Sequence, residues 1–334
     1  MERKYDVYGI GHALVDIVTE VGDDFLEKYK IEKGLMTLVD EERQHELVEA
    51  IHLPSSNLAC GGSAANTVIA ASQFGSNCFY SCKVANDEMG RFYLKDLREN
   101  GVDTNFTADT VPIGITGKCL VMTTPDANRT MNTFLGVASN LTVDEVEENH
   151  LKDSSYLYLE GYMITSENGL EAMKHAKRIA EKHNVKTALT FSDPSMVKYF
   201  KEPLEQVVGA SVDLLFCNEE EAQLFTGKSS LSEAREELKK VAKRFAITQG
   251  ANGAMIFDGD TFIDIEPYAV KAVDTNGAGD MFAGAFLYGI THGHSYAEAG
   301  KIASLASSKI VAKWGPRLEW HEAKEILNHL FERN

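Results

Sequence analysis

Asp274-Thr275-Asn276-Gly277-Ala278-Gly279-Asp280 runs straight into Met281-Phe282-Ala283-Gly284-Ala285-Phe286-Leu287. Two glycines around one alanine, then a carboxylate, then an apolar run, read as a glycine-rich turn feeding the first turn of a buried helix. Small residues let the backbone come close to a ligand. The N–H groups left over at a helix start, together with the helix dipole, favour anions and phosphates above all. A carboxylate there repels phosphate, so Asp280 needs a task of its own. Removing a proton from a nucleophile beside a phosphoryl group is such a task. Asp is also an ordinary first-turn residue of a helix, so the rest of the chain has to decide.

The 334 residues suffice for one large α/β domain or two of ordinary size. Hydrophobic residues at 44% and charged residues at 25% are those of a soluble globular protein. The net charge of −17 is offset by no basic block, which argues against a nucleic-acid or membrane-surface partner. A phosphorylated ligand needs only a local pocket of donors. No signal peptide and no apolar run of membrane-spanning length is read, and a cytoplasmic location is expected. Five scattered cysteines (60, 78, 82, 119 and 217) lack zinc-site spacing and are expected to be reduced and mostly buried.

Residues 5–11 have the pattern of a core strand ending in glycines, and residues 15–21 alternate as a half-exposed strand does. Helix character follows at 41–51, at 61–71 behind glycines, and at 88–100, with a strand at 78–84. Short alternating strands cover 114–123 and 129–135. From residue 151 on, strand-like runs (155–159, 186–191, 214–217, 245–248, 254–257) alternate with helix-like runs (167–183, 219–225, 232–242). That rhythm predicts a mostly parallel sheet covered on both faces, with the early strand patches forming a small separate sheet. In such sheets ligands gather beyond the C-terminal ends of the strands. Asp16, the segment 61–66, Asn218 with Glu221, and the segment 248–253 all fall at such ends. Asn218 and Glu221 also have capping-box spacing, and 248–253 also suits a plain turn between two strands. Thr226-Gly227-Lys228-Ser229 lacks the earlier glycine of a P-loop, which is Ala222 here, and Gly9-Ile10-Gly11 lacks the third glycine of a dinucleotide fingerprint, which is Leu14.

Taken together, the motifs are distinctive. Gly61-Gly62-x-Ala64-x-Asn66, Gly75 and Lys83-Val84-Ala85-Asn86-Asp87-Glu88-Met89-Gly90 resemble the N-terminal signature of the ribokinase-like (PfkB) carbohydrate and nucleoside kinases. Residues 274–280 resemble their C-terminal signature, and Asn218-Glu219-Glu220-Glu221 is similar to their N-x-x-E motif. Order and spacing agree over essentially the whole chain, with Ala85 standing where a glycine is common. The resemblance implies a three-layer α/β/α fold with a small inserted β-sheet lid. The lid is expected at about 17–40 and 108–137, and the large domain at about 1–16, 41–107 and 138–334.

The resemblance also implies transfer of the γ-phosphoryl of ATP to a hydroxymethyl group. Asp280 would be the base, and the N–H groups of Gly277, Ala278 and Gly279 the anion hole, where one donor is worth ~3 kcal/mol. Asn218 and Glu221 would hold Mg²⁺, mainly through waters. Thr248, Gly250 and Gly253 would line the nucleotide phosphates, and Ser304, with Ser308, the adenine. Asp16 would accept two acceptor-substrate hydroxyls, helped by Gly61, Gly62 and Asn66. Arg129, on the lid, would reach the phosphates. Asp274 and Asn276, with carbonyls near Lys313 and Gly315, are where a K⁺ ion would be sought.

For the acceptor, Gly11-His12-Ala13-Leu14-Val15-Asp16, Asn128-Arg129-Thr130 and Gly315-Pro316-Arg317-Leu318 resemble the adenosine-kinase-like branch. Asp193-Pro194-Ser195 lacks the Asn and Arg of the segment common in sugar kinases. Met36, Phe134, Leu135 and Met163 are candidates for a base-binding slot. The expectation is an adenosine-type nucleoside kinase, with a ribose- or fructose-type sugar kinase as the alternative and a non-catalytic binding module as a third reading. Monomer and homodimer stay open.

Overall fold

A computed structural model describes residues 3–51, 58–106, 110–126 and 128–331. In chain order its strands are β1 (Tyr5–Ile10), β2 (Leu14–Glu20), β3 (Met36–Leu38), β4 (Leu58–Gly61), β5 (Cys78–Ser81), β6 (Val102–Thr104) and β7 (Thr116–Thr123). They continue as β8 (Arg129–Gly136), β9 (Ser154–Glu160), β10 (Lys186–Thr190), β11 (Leu214–Asn218), β12 (Phe245–Thr248), β13 (Ala254–Phe257) and β14 (Phe262–Ile265).

Nine strands form one sheet in the order β14-β13-β12-β11-β10-β9-β1-β5-β6. From β6 to β12 every pairing is parallel; β13 and β14 add an antiparallel edge. Alternation along the strands serves two cores. Tyr156 and Tyr158 of β9, with Leu214 and Phe216 of β11, face the helices Ser63–Phe74, Ala278–Thr291 and Tyr296–Val311. Leu157 and Leu159, with Leu215 and Cys217, face the helices Glu167–Lys182, Lys201–Val208 and Glu219–Thr226. Such a sheet, buried on both faces, is what near-continuous apolar strands produce. All five cysteines are free and buried. Among the described residues no helix is long and apolar enough to cross a membrane.

The second sheet has the order β3-β8-β7-β2-β4. Its membership corrects two expected boundaries. Asp16, expected as the last residue of the large domain's first segment, sits inside β2 of the small sheet, opposite Ala59 of β4 and Cys119 of β7. Residues 58–61, expected in the large domain, pair antiparallel with β2. The helix Glu41–Ile51 goes with them, since Leu47 packs against Ile17, Leu120 and Met122 of this sheet. Short strands framed by glycines carry little periodic signal of their own, so β4 becomes visible only through its partner.

Gly284 controls how the two site-bearing helices meet. A Cβ there would overlap the carbonyl of Thr67. Its absence lets Ala278–Thr291 lie directly on Ser63–Phe74, which brings the N-terminal turns of both helices to one place.

Candidate active site

The helix carrying Asp280 starts from Gly277, whose φ of 72° is a left-handed conformation that side chains strain. The Ala278 N–H donates to Thr275 O at 3.3 Å and the Met281 N–H to Gly277 O at 2.8 Å, closing the turn. Nothing stands within 4 Å of the position a Cβ on Gly279 would take. The turn therefore opens onto free space at the positive end of a 14-residue helix. Asp280 is half-buried at its floor. Its Oδ1 accepts from Ser63 Oγ at 2.7 Å and its Oδ2 from Asn66 Nδ2 at 3.3 Å. Burial raises its pKa, while Ser63, Asn66 and the guanidinium groups of Arg129 and Arg317 pull it back.

Asp16 reaches the same place from the small sheet. A Cβ on Gly61 would overlap the Asp16 carboxylate, so the glycine is what gives the acid its room. Burial pushes Asp16 up to about 7; Arg317 and Arg129 oppose the shift and Asp280 adds to it. Gly62, at φ 95°, turns the chain into the helix Ser63–Phe74.

Asp16, Gly62, Asn66, Arg129, Asn276 and Asp280 line one cavity of about 660 Å³, counting its open mouth. Leu14, Met36, Leu38, Met131 and Leu135 form its apolar wall, and they alternate with outward-facing residues along their strands. Two of the four candidates for a base slot are there, Met36 and Leu135. The other two are not. Phe134 points to the opposite face of the small sheet, and Met163 is buried in the core of the large one.

Several residues of this site escaped the sequence reading. Glu160 ends β9 and is 1% exposed. It accepts from the N–H groups of Ala64 at 2.8 Å and His12 at 3.3 Å, and burial pushes it up to about 8. His12 lies beside it, and burial lowers its pKa to about 4. Both line the cavity, with Ser63, Tyr162, Thr165 and Ser192. An acid directly after an apolar strand was the available signal for Glu160, because the C-terminal strand ends carry the site.

The remaining expected residues lie outside this cavity. Asn218 and Glu221 form a reciprocal capping box at the end of β11: Asn218 N–H and Nδ2 donate to Glu221, and Glu221 N–H donates to Asn218 Oδ1. Burial, with Asp193 and Glu220 adding to it, pushes Glu221 up to about 8. Thr248 ends β12, beside Asn218. Residues 249–253 turn β12 back into β13. There Gly250 faces open space, and Gly253, at φ 89°, packs against the carbonyl of Ile265. Ser304 donates to Glu266 O at 3.1 Å and Ser308 to Leu305 O at 2.7 Å. Asp274 is fully buried and accepts from the N–H groups of Asn276 at 2.9 Å and Gly315 at 3.3 Å.

A carboxylate held at a helix start above open space, facing a second acid across a shared cavity, is the layout of a phosphotransferase acting on an alcohol. The chain belongs to the pfkB family of carbohydrate kinases, whose pattern it matches over residues 31–323. An adenosine kinase from Sinorhizobium meliloti superposes with a TM-score of 0.91 at 32% identity, over 96% of this chain and 99% of that one. A probable sugar kinase from Rhizobium etli CFN 42 also superposes with a TM-score of 0.91 at 32% identity, over 98% and 100%. Adenosine kinase from Saccharomyces cerevisiae is 27% identical over 305 residues, or 85% of this chain and 88% of that protein. The fold is ribokinase-like, and the enzyme is a kinase of an alcohol group.

Proposed function

We propose that this kinase phosphorylates the hydroxymethyl group of an adenosine-type nucleoside with ATP. One observation carries the reading: the cavity has a polar end, where Asp16, Asn66 and Asp280 converge, and an apolar wall of Leu14, Met36, Leu38, Met131 and Leu135. The polar end suits a ribose and the wall suits a flat base, in the balance usual for small-molecule sites. The relatives named adenosine kinase support it.

In this reading Asp16 accepts hydrogen bonds from ribose hydroxyls and fixes the sugar. Asp280 takes the proton of the primary hydroxyl as its oxygen bonds to the γ-phosphorus of ATP and the bond to the leaving ADP breaks. The backbone N–H groups of Gly277 and Gly279 face the charge on the phosphoryl in transit, and that of Ala278, which donates to Thr275 O in the ligand-free turn, would join them only by leaving that bond. Thr248, Gly250 and Gly253 line the phosphates, and Ser304 lies on the adenine side.

Mg²⁺ fits the residues at the end of β11. Glu221 is a carboxylate whose burial opposes ionisation, and the field of a dication would restore its charge. Among the described residues no three His, Cys, Asp or Glu gather into a cage, a donor set that suits an ion held mostly by phosphates and waters. Asn218 and Glu221 would hold it, and bound there it would neutralise phosphate charge. Asp274 and Asn276 are where K⁺ would be tested, although the reading does not need that ion.

A free sugar is the second reading. His12, Thr165 and Ser192 add polar lining that a larger set of hydroxyls could use, and one relative is named a probable sugar kinase. ATP turnover against a panel of nucleosides and free sugars, with Asp280→Asn as control, separates the readings. Turnover of a sugar and of no nucleoside would end the first. Saturable nucleotide binding with no turnover of any acceptor would favour a binding module.

A further inference from the structure

Arg317 stands in the loop after the helix Tyr296–Val311, and none of the roles above uses it. Its guanidinium is mostly buried and every nitrogen has a partner. Nε donates to Asn66 Oδ1 at 3.2 Å, Nη2 to the carbonyl of Cys60 at 2.7 Å, and Nη1 pairs with the Asp96 carboxylate. Cys60 belongs to β4 of the small sheet and Asp96 to the helix Glu88–Glu99. One side chain thus ties the small sheet, the large domain and the first turn of the helix Ser63–Phe74 together.

The contact with Asn66 has a chemical consequence. Arginine carries five donors and no acceptor. The atom of the Asn66 amide that faces it must therefore be the oxygen, which leaves Nδ2 to donate to Asp280 Oδ2 at 3.3 Å. Without Arg317 the amide oxygen loses its anchor, and the NH₂ group is free to move away from the carboxylate. Arg317 also brings charge. Among the described residues, Asp280 is faced by Asp16 of β2, by Tyr158 and Glu160 of β9, by Tyr162 after it, and by the cations Arg129 of β8 and Arg317.

We propose that Arg317 is a positioning residue for phosphoryl transfer: by donating to the Asn66 oxygen it fixes the amide so that its NH₂ group holds Asp280. The inference rests on the reading of Asp280 as the base.

The test measures kcat and KM for ATP with adenosine as acceptor, or with whichever sugar the panel selects, from about pH 5.5 to about pH 9, across the range where a perturbed carboxylate titrates. The wild type is compared with Arg317→Leu, Arg317→Lys, Asn66→Ala and the Asn66→Ala/Arg317→Leu pair. In Arg317→Leu, kcat is expected to fall about tenfold to a hundredfold, the range for losing a charge-assisted hydrogen bond. Its acid limb moves to higher pH, and KM for ATP stays within about twofold of wild type. Arg317→Lys keeps the acid limb but not the full kcat, because an ammonium cannot replace the fork. Above the acid limb the double variant loses no more than the worse single one, because Arg317 acts there through Asn66. An unmoved acid limb in Arg317→Leu, or full additivity of the two losses, overturns the inference. If Arg317→Leu does not fold by circular dichroism, Arg317→Lys decides alone: wild-type kcat above the acid limb overturns the proposal, and a reduced kcat with an unmoved limb supports it. Wild-type turnover by Asp280→Asn would sink the base reading itself, an outcome separate from all of these.

Discussion

Arg129 Nη1 donates to Asn276 Oδ1 at 2.9 Å, joining residues 147 positions apart. Arg129 starts β8 of the small sheet, and Asn276 is one residue before the glycine turn that precedes Asp280. The bridge therefore holds the sheet that covers the cavity onto the loop that starts the site-bearing helix. Removing it with Arg129→Met is expected to lower kcat/KM about tenfold to a hundredfold, as loss of a charged hydrogen bond does. Arg129→Lys should recover little of this, because one ammonium cannot reproduce the planar fork. Steady-state kinetics of the three proteins checks it, and wild-type kcat/KM in Arg129→Met would remove the bridge from the mechanism.

Asp280→Asn keeps the shape of the side chain and removes its basicity. A drop in kcat of about 10²–10⁴-fold is expected, the usual span for loss of a general base. ATP affinity, measured by calorimetry, should hold or improve, because a negative charge beside the phosphates is gone. A weakened affinity with unchanged kcat would assign Asp280 to binding.

Two glycine substitutions are expected to behave oppositely. At Gly61 a methyl group overlaps the Asp16 carboxylate, so Gly61→Ala should raise KM for the acceptor by about tenfold or more and leave KM for ATP near wild type. At Gly279 a methyl group meets no protein atom. Gly279→Ala should therefore fold with an unchanged Tm and yet lose turnover, because the methyl group fills the space above the turn. Full turnover in Gly279→Ala would mean that phosphate does not approach there.

Burial pushes Glu160 and Glu221 up to about 8 and Asp16 up to about 7. In the unfolded chain these acids return to about 4. Between those limits the folded protein binds more protons than the unfolded one, so their contribution to stability is complete below about pH 4 and is lost as pH rises through 7 to 8. His12, lowered to about 4, works the other way, but only below the usual histidine range near 6.5. From about pH 7 to about pH 8.5 the Tm of the ligand-free protein should therefore fall, and Glu160→Gln should flatten the fall. A Tm that rises across that window, or an unchanged slope in Glu160→Gln, contradicts the burial account.

The sequence alone determined the parts that are local or periodic. The strand–helix rhythm after residue 151 specified a parallel sheet, because apolar strands spaced by amphipathic helices can bury themselves in few other ways. The turn at 274–280 announced its own helix start, because glycines, an acid and an apolar run lie adjacent in the chain. What could not be read there is which distant groups meet. The strand at 15–21 was legible, but the boundary that left Asp16 with the large domain was not, because only pairing with β4 and β7 assigns the start of β2 to the small sheet. Glu160, buried against the first turn of another helix, and Arg317, whose nitrogens reach Cys60, Asn66 and Asp96, carry no local pattern. Their environment is made by packing. The closeness of the helices at Gly284 and the desolvation that raises Asp16, Glu160 and Asp280 arise only when segments far apart in sequence exclude water together.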